Sequence, residues 1–324
     1  MDNIRYSIIT PVFNREDCIV RCLVSVARNQ DEGLNGGFEH IIVDDGSTDN
    51  TTSIVEEYAR KHPHVEFIRF KHNRGTNAAR NAAIQKARGE WCIILDSDDY
   101  FVDDALQTIA STMASHPGYK HYMFAPDDMQ HYYERNLILQ GAEQKVLTYP
   151  DFLNGYVGGD FIHVCNTEIL RRHPFDERLR IYEGVFFLMF FKEAQQMLFT
   201  NKVVTIRERS RKDSVTRDML RTNDKVIGRS ILYNEIYLKH FEEDLKALGM
   251  LRRLRCVRSN LLDNYVLLSE YDKACGLMKV MGSPTGLKER LLRVVVTFRC
   301  GWAYKWMLHL FLNLKYRVFK KKMA

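Results

Sequence analysis

Asp96, Asp98 and Asp99 cluster around Ser97, directly after the apolar run Trp91-Cys92-Ile93-Ile94-Leu95. Three carboxylates at one strand end repel one another, and a hard divalent cation with oxygen ligands relieves that repulsion. Mg²⁺ is commonly held by one or two carboxylates plus substrate phosphates, so this Asp-x-Asp can set a cation against a diphosphate. The same residues also suit a solvated turn with a helix cap. A second acidic turn, Asp44-Asp45-Gly46-Ser47-Thr48-Asp49, follows His40-Ile41-Ile42-Val43. A carboxylate there can accept hydrogen bonds from a base N–H or ribose hydroxyls. Equally, the turn can lead into a helix capped by Ser47, Thr48 or Asp49. Asn73-Arg74-Gly75-Thr76-Asn77-Ala78-Ala79-Arg80-Asn81 opens a helix. Arg80, one turn in, can meet a phosphate or carboxylate, or form a surface ion pair of little worth.

These clusters need elements to position them. Strands are expected at Ser7–Val12, His40–Val43, Val65–Phe70 and Trp91–Leu95. Asn14 can cap a helix beginning with Glu16 and Asp17, with Ile19, Cys22, Leu23 and Val26 at helical spacing. Further helices are expected at Thr51–Arg60, at Ala78–Arg88 with Gly89 as a stop, and at Ala105–Ser115. Strands alternating with helices imply an α/β fold with a parallel sheet, whose ligands bind beyond the strands' C-terminal ends. That rule selects Pro11–Arg15, Asp44–Asp49 and Asp96–Asp99. From about 120 to 220 the pattern is mixed. It holds the glycine-rich loop Gly155–Asp160, the charged stretch Pro174–Glu183, an aromatic helix from Glu183, a short strand Val203–Ile206 and the basic loop Arg207–Arg211. From about 223 onward the chain reads as helical. The division expected is a domain over 1–220 and a helical region over 221–324.

With 324 residues, 45% of them hydrophobic, the chain can bury a substantial core, which excludes a disordered protein. Seven scattered cysteines with no C-x-x-C pair predict reduced, buried thiols, not a disulfide framework or zinc site. No signal peptide is expected, because charges interrupt the N-terminus and the apolar run Tyr6–Phe13 is short. Charge is uneven: residues 287–324 carry ten Lys or Arg against Glu289 alone, a net +9 within a chain of net +6.

Five stretches together resemble the family 2 glycosyltransferases. They are Ser7-Ile8-Ile9-Thr10-Pro11-Val12-Phe13-Asn14, Val43-Asp44-Asp45-Gly46-Ser47-Thr48-Asp49, Asn73-Arg74-Gly75 with Ala79-Arg80-Asn81, Gly89-Glu90-Trp91, and Leu95-Asp96-Ser97-Asp98-Asp99. The resemblance is close over about residues 4–115 and looser to about 217. It implies a GT-A fold and a metal-dependent, inverting hexosyl- or N-acetylhexosaminyltransferase of cell-surface polysaccharide synthesis. The implied reaction moves a sugar from a UDP-sugar to a glycan or lipid-linked acceptor. The resemblance also implies that Pro11, Val12, Phe13, Asn14, Glu16, Asp44, Asp45, Arg80, Asp96 and Ser97 hold the nucleotide-sugar, Phe13 lying against the base. Asp98 would hold Mn²⁺ or Mg²⁺.

The catalytic base in such enzymes is usually an aspartate of a Glu-Asp pair after a Phe-Asp-Glu stretch. Phe175-Asp176-Glu177 is followed here by Tyr182-Glu183-Gly184. A gapless match puts Gly184 at the base, whereas anchoring on Phe186 puts Glu183 there. Glu183 is the expected base, with Asp160 and Asp176 as fallbacks. The basic loop resembles a segment that closes over the diphosphate, making Arg207, Arg209 and Ser214 candidate lid residues.

Residues 287–322 alternate apolar and basic residues without the roughly 20 uninterrupted apolar positions of a membrane span. This reads as a basic, Trp-bearing helix lying on an anionic membrane, placing the chain in the cytoplasm at the inner face of the plasma membrane. Packed helices with a Lys-rich end are the plainer reading. No nucleic-acid motif is visible, so no nucleic-acid partner is expected. Two other functions compete. A sugar-1-phosphate nucleotidyltransferase would want a glycine-rich loop after the first strand, where Pro11-Val12-Phe13-Asn14-Arg15-Glu16 stands. A non-catalytic nucleotide-sugar-binding module is supported by Gly184 alone.

Overall fold

The computed structural model describes residues 4–29, 37–180, 182–208 and 223–310. Contacts divide the chain into two compact units, Met1–Arg211 and Lys212–Ala324.

The first unit is a nine-stranded sheet flanked by helices. Its first half holds β1 (Ile4–Val12), β2 (Gly37–Asp44), β3 (Val65–Arg69) and β4 (Trp91–Ile94), all parallel, in the order β3-β2-β1-β4. Helices α1 (Ile19–Arg28), α2 (Thr51–Lys61) and α3 (Thr76–Lys86) connect them. β1 and β4 are nearly continuous apolar runs because helices cover both sheet faces. Tyr6, Ile8, Ile9, Cys92 and Ile93 are fully buried, and Tyr6, Ile8 and Ile93 share a core with Ile19, Leu23 and Val26 of α1.

The second half is mixed. It holds β5 (Tyr100–Phe101), α4 (Ala105–Ser115), β6 (His121–Pro126), α5 (Gln130–Arg135), β7 (Gln144–Thr148) and α6 (Tyr149–Leu153). β8 (Ile162–Asn166), α7 (Thr167–Arg172), a 3-10 turn Glu177–Leu179, α8 (Gly184–Ala194) and β9 (Gln196–Ile206) follow. β8 runs antiparallel between β4 and β6. β9 runs parallel to β6 and antiparallel to β5 and β7.

Several elements differ from the sequence reading. α1 begins at Ile19, and Asn14 does not cap it. Asn14 has φ 51°, and its Oδ1 accepts from Thr48 N at 2.8 Å, so the side chain braces the neighbouring loop. Gly89 is not the stop of α3, which Ala87 caps. A Cβ at Gly89 would lie 2.8 Å from the Ser7 nitrogen, so glycine there admits a close passage of the chain against β1. β9 is eleven residues long, because the polar Thr200-Asn201-Lys202 stretch lies inside the strand. All seven cysteines are free, but Cys256 and Cys275 are exposed, correcting the expectation of buried thiols.

The second unit is helical. α9 (Asp224–Ala247), α10 (Leu251–Leu267), α11 (Tyr271–Met281) and α12 (Leu287–Thr297) are followed by helical residues 301–310. Asn223 caps α9, its Oδ1 accepting from Val226 N at 2.9 Å. Ile231, Leu262, Val266, Ala274, Leu292, Val296 and Tyr304 form this unit's core.

Candidate active site

β1, β2 and β4 are adjacent and parallel, so their C-terminal ends share one edge of the sheet. Pro11 and Val12 end β1 in register with Val43 and Asp44, and Val12 is buried. Phe13 follows, 38% exposed, with an apolar ring open at the edge. Glu16 Oε2 accepts from Asn50 N at 2.9 Å and from its side-chain amide at 2.7 Å. Asn14 and Glu16 thus stitch the first strand-end loop to the second.

The two aspartates of the second loop have different surroundings. Asp44 is fully buried, accepting from Ser47 N at 2.9 Å and the Thr52 hydroxyl at 2.5 Å. It organises its own turn. Asp45 reaches sideways, its two oxygens accepting from the amides of Arg74 at 2.6 Å and Gly75 at 2.8 Å. Burial pushes the Asp45 carboxyl up, and those two amides pull it down. Gly46 turns the chain directly after Asp45 at φ 76°, where a Cβ would lie 2.8 Å from the His72 carbonyl carbon.

At the third loop, Ser97 is buried while Asp96 is half-exposed. Asp98 is 29% exposed, with Arg15 Nε 3.8 Å from its Oδ2. Asp99 is buried, and burial together with the Asp96 and Asp98 charges pushes its carboxyl up to about 8. Arg15 and Asp99 belong to this cluster. Their signal in the sequence was adjacency to the Pro11–Asn14 turn and to Asp98.

Arg80 joins this edge to a distant part of the chain. It projects from α3, buried, with its cation 5.5 Å from the Phe175 ring centroid. One nitrogen donates to Asp96 Oδ1 at 3.1 Å and another to Glu183 Oε2. Glu183 is the residue before α8, where the helix N-terminus favours negative charge. Desolvation pushes its carboxyl up, Arg80 pulls it down, and Asp96 and Asp160 push it up again. The result is a carboxyl raised above the ordinary glutamate value, held by an arginine beside a second carboxylate.

The other candidates are engaged elsewhere. Arg207 donates through Nε to Asp128 at 2.8 Å and pairs with Asp160, so its guanidinium is committed to carboxylates. Asp176 is clasped by Arg178. Arg209 and Ser214 lie outside the described residues. The Asn73–Asn77 loop is held by Arg180, whose carbonyl accepts from Asn77 N at 2.9 Å. A cavity of about 850 Å³ between α1 and β5 contains none of the expected donor residues, so cavity size does not locate this site.

Among the described residues no three His, Cys, Asp or Glu side chains converge as a metal cage. The donor chemistry of the third loop nonetheless fits Mn²⁺ or Mg²⁺. Hard carboxylate oxygens of Asp96 and Asp98 stand at an open strand end, and their charges add to the burial that raises Asp99.

The Glycosyl transferase family 2 signature matches residues 7–177, more than half of the chain. The chain belongs to glycosyl transferase family 2. The GalNAc(5)-diNAcBac-PP-undecaprenol beta-1,3-glucosyltransferase of Campylobacter jejuni is 25% identical over 272 residues, 82% of this glycosyltransferase and 85% of that one. Two longer relatives match about a third of this chain, which spans 16% and 14% of their lengths. Among solved structures, Staphylococcus aureus TarS 1–349 in complex with UDP-GlcNAc has a TM-score of 0.58 at 18% identity, covering 90% of this chain and 79% of that one. A Pyrobaculum calidifontis mannosyltransferase in complex with GDP-Man and Mn²⁺ has a TM-score of 0.55 at 17% identity, covering 94% and 84%. Both likenesses establish the GT-A architecture. The family match ends before Glu183, which meets the matched region through Arg80.

Proposed function

We propose that this glycosyltransferase moves a sugar from a UDP-sugar to a hydroxyl of a glycan or lipid-linked acceptor, with inversion, during cell-surface polysaccharide synthesis. The observation that carries the mechanism is the Arg80 bridge from Asp96 to Glu183. Support for the substrates comes from a relative named for an undecaprenol-linked glycan acceptor and from TarS in complex with UDP-GlcNAc.

In this reading the nucleoside lies over the ends of β1 and β2. Phe13 covers the base, and Pro11 and Val12 form the floor. Asp45 keeps the Arg74–Gly75 backbone in place, while Asn14, Glu16 and Asp44 brace the loops. Ser97 and Asp96 face the donor sugar. Asp98, with Asp96 beside it, would hold Mn²⁺ or Mg²⁺, and the mannosyltransferase structure with Mn²⁺ supports a cation in this architecture. That cation supplies neutralisation of the diphosphate charge. Glu183 accepts the acceptor hydroxyl's proton at its carboxylate as that oxygen forms a bond to the anomeric carbon. The bond to the nucleotide diphosphate breaks on the opposite face. General-base help of this kind contributes about 10²–10⁴-fold. Arg80 holds Glu183 and Asp96 in register. Arg207 anchors the chain entering the 209–222 segment, where Arg209 and Ser214 are proposed to meet the diphosphate. A peripheral membrane contact through the C-terminal tail, at the inner face of the plasma membrane, completes the reading.

The test is a panel of UDP-, GDP- and dTDP-sugars with Mn²⁺ or with EDTA, following nucleotide release. The expected outcome is cation-dependent release from one donor, lost in Asp98→Ala. Tight nucleotide binding without turnover of any donor would favour the non-catalytic module instead.

A further inference from the structure

The C-terminal unit turns apolar side chains to solvent on two consecutive helical segments. On α12, Leu292, Val295 and Val296 face the core, whereas Leu287, Leu291, Val294 and Phe298 are 39–83% exposed. Spacings of four, three and four put those four on one helical face. In residues 301–310, Tyr304 is buried, while Trp302, Trp306, Met307 and Leu310 are 46–74% exposed. Single exposed apolar residues are ordinary, but eight within 24 positions form the kind of patch that marks an interaction surface.

The charges around the patch select its occupant. Lys288, Arg290, Arg293, Arg299 and Lys305 lie in the same stretch, against Glu289, which is buried and bound by Arg255. Lys288, Arg299 and Lys305 have acidic neighbours in Asp263, Asp272 and Asp224. Residues 311–324, outside the described part, add Lys315, Arg317, Lys320, Lys321 and Lys322. Residues 287–310 carry five Lys or Arg against Glu289, a net +4, so two copies of this face repel each other. An anionic lipid surface attracts it, and Trp, Phe and long basic side chains settle at the headgroup boundary. No helix among the described residues is long and apolar enough to cross a membrane.

We propose that the Leu287–Leu310 face is a docking surface for an anionic bilayer. Phe298, Trp302 and Trp306 enter the headgroup–acyl boundary, and the exposed Arg290 lies at a lipid phosphate, whereas Arg293 is turned to the Met278 and Gly282 carbonyls. The proposal rests on the membrane contact named above, expected over residues 287–322, and narrows it to the exposed apolar side chains of residues 287–310.

The chain has three tryptophans, and Trp91 is buried in the first unit, so an emission change on adding lipid reports on Trp302 and Trp306. Full-length protein is mixed with phosphatidylcholine vesicles, with or without one-third phosphatidylglycerol, and followed by co-sedimentation and tryptophan emission. The expected result is binding to the anionic vesicles with a blue shift, and quenching by lipids brominated near the headgroup, a readout that needs no variant. Phe298→Ser/Trp302→Ser/Trp306→Ser should weaken binding by at least about tenfold, since three interfacial apolar side chains are lost. If that variant binds like wild type while Gln substitutions at Lys315, Arg317, Lys320, Lys321 and Lys322 abolish binding, the apolar docking surface is wrong and the tail contact stands. If wild type ignores both vesicles, both fall. Self-association that the Ser substitutions abolish would assign the patch to a second copy and overturn the proposal.

Discussion

Arg80→Met removes the bridge and leaves a side chain of similar length. Arg80 is 8% exposed, and its partners Asp96 and Glu183 are 52% and 42% exposed. A hydrogen bond to a charged group contributes about 1.5–3 kcal/mol, and half-exposed partners regain water, so the lower figure applies to each. Two such bonds give about 3 kcal/mol, which lowers Tm by about 6–12 °C in a unit of this size. The catalytic effect is larger, because Glu183 loses its orientation; kcat/KM should fall about 10²–10³-fold. The pH profile separates catalysis from stability. A base works deprotonated, so the rate falls as pH drops through the Glu183 pKa, which lies above the ordinary glutamate value. Arg80 pulls that pKa down, so Arg80→Met moves the acid limb to higher pH. The assay is nucleotide release across pH with the accepted donor and acceptor, beside a melting curve. A variant that melts like wild type, turns over within a few-fold and keeps its acid limb would refute the bridge as a working part.

Two further predictions concern the scaffold. Gly89→Ala drives a Cβ against the Ser7 and Tyr6 backbone and should cost about 1–3 kcal/mol, seen as a lowered Tm; an unchanged Tm would contradict the close passage. His40 is fully buried, and desolvation, helped by His64, holds its pKa down to about 3. Its neutral form is favoured in the fold, so its contribution is intact above the unfolded value near 6.5 and is lost as pH falls below it. Between pH 6.5 and 5, wild type should therefore lose on the order of 1–2 kcal/mol more stability than His40→Gln, measured by denaturant titration at each pH.

The strand-end clusters were legible because buried parallel strands write themselves as unbroken apolar runs, as Trp91–Leu95 does, and polar residues just beyond them stand out. What each aspartate binds was not legible. Asp44 and Asp45 are neighbours of one type, yet one closes its own turn and the other holds a separate loop. The Arg80–Glu183 contact spans 103 positions and leaves no local trace. β8 escaped notice because antiparallel insertion between β4 and β6 depends on partners far along the chain. β9 was read short because Thr200-Asn201-Lys202 looks like a loop, although Thr200 is fully buried in the sheet.

The most direct measurement is transfer by Glu183→Gln, which preserves size and removes the proton acceptor. With the donor found in the panel, nucleotide affinity and Tm should stay close to wild type while kcat falls about 10²–10⁴-fold. Transfer by Glu183→Gln within a few-fold of wild type, with the acid limb intact, would contradict the assignment of Glu183 as the base.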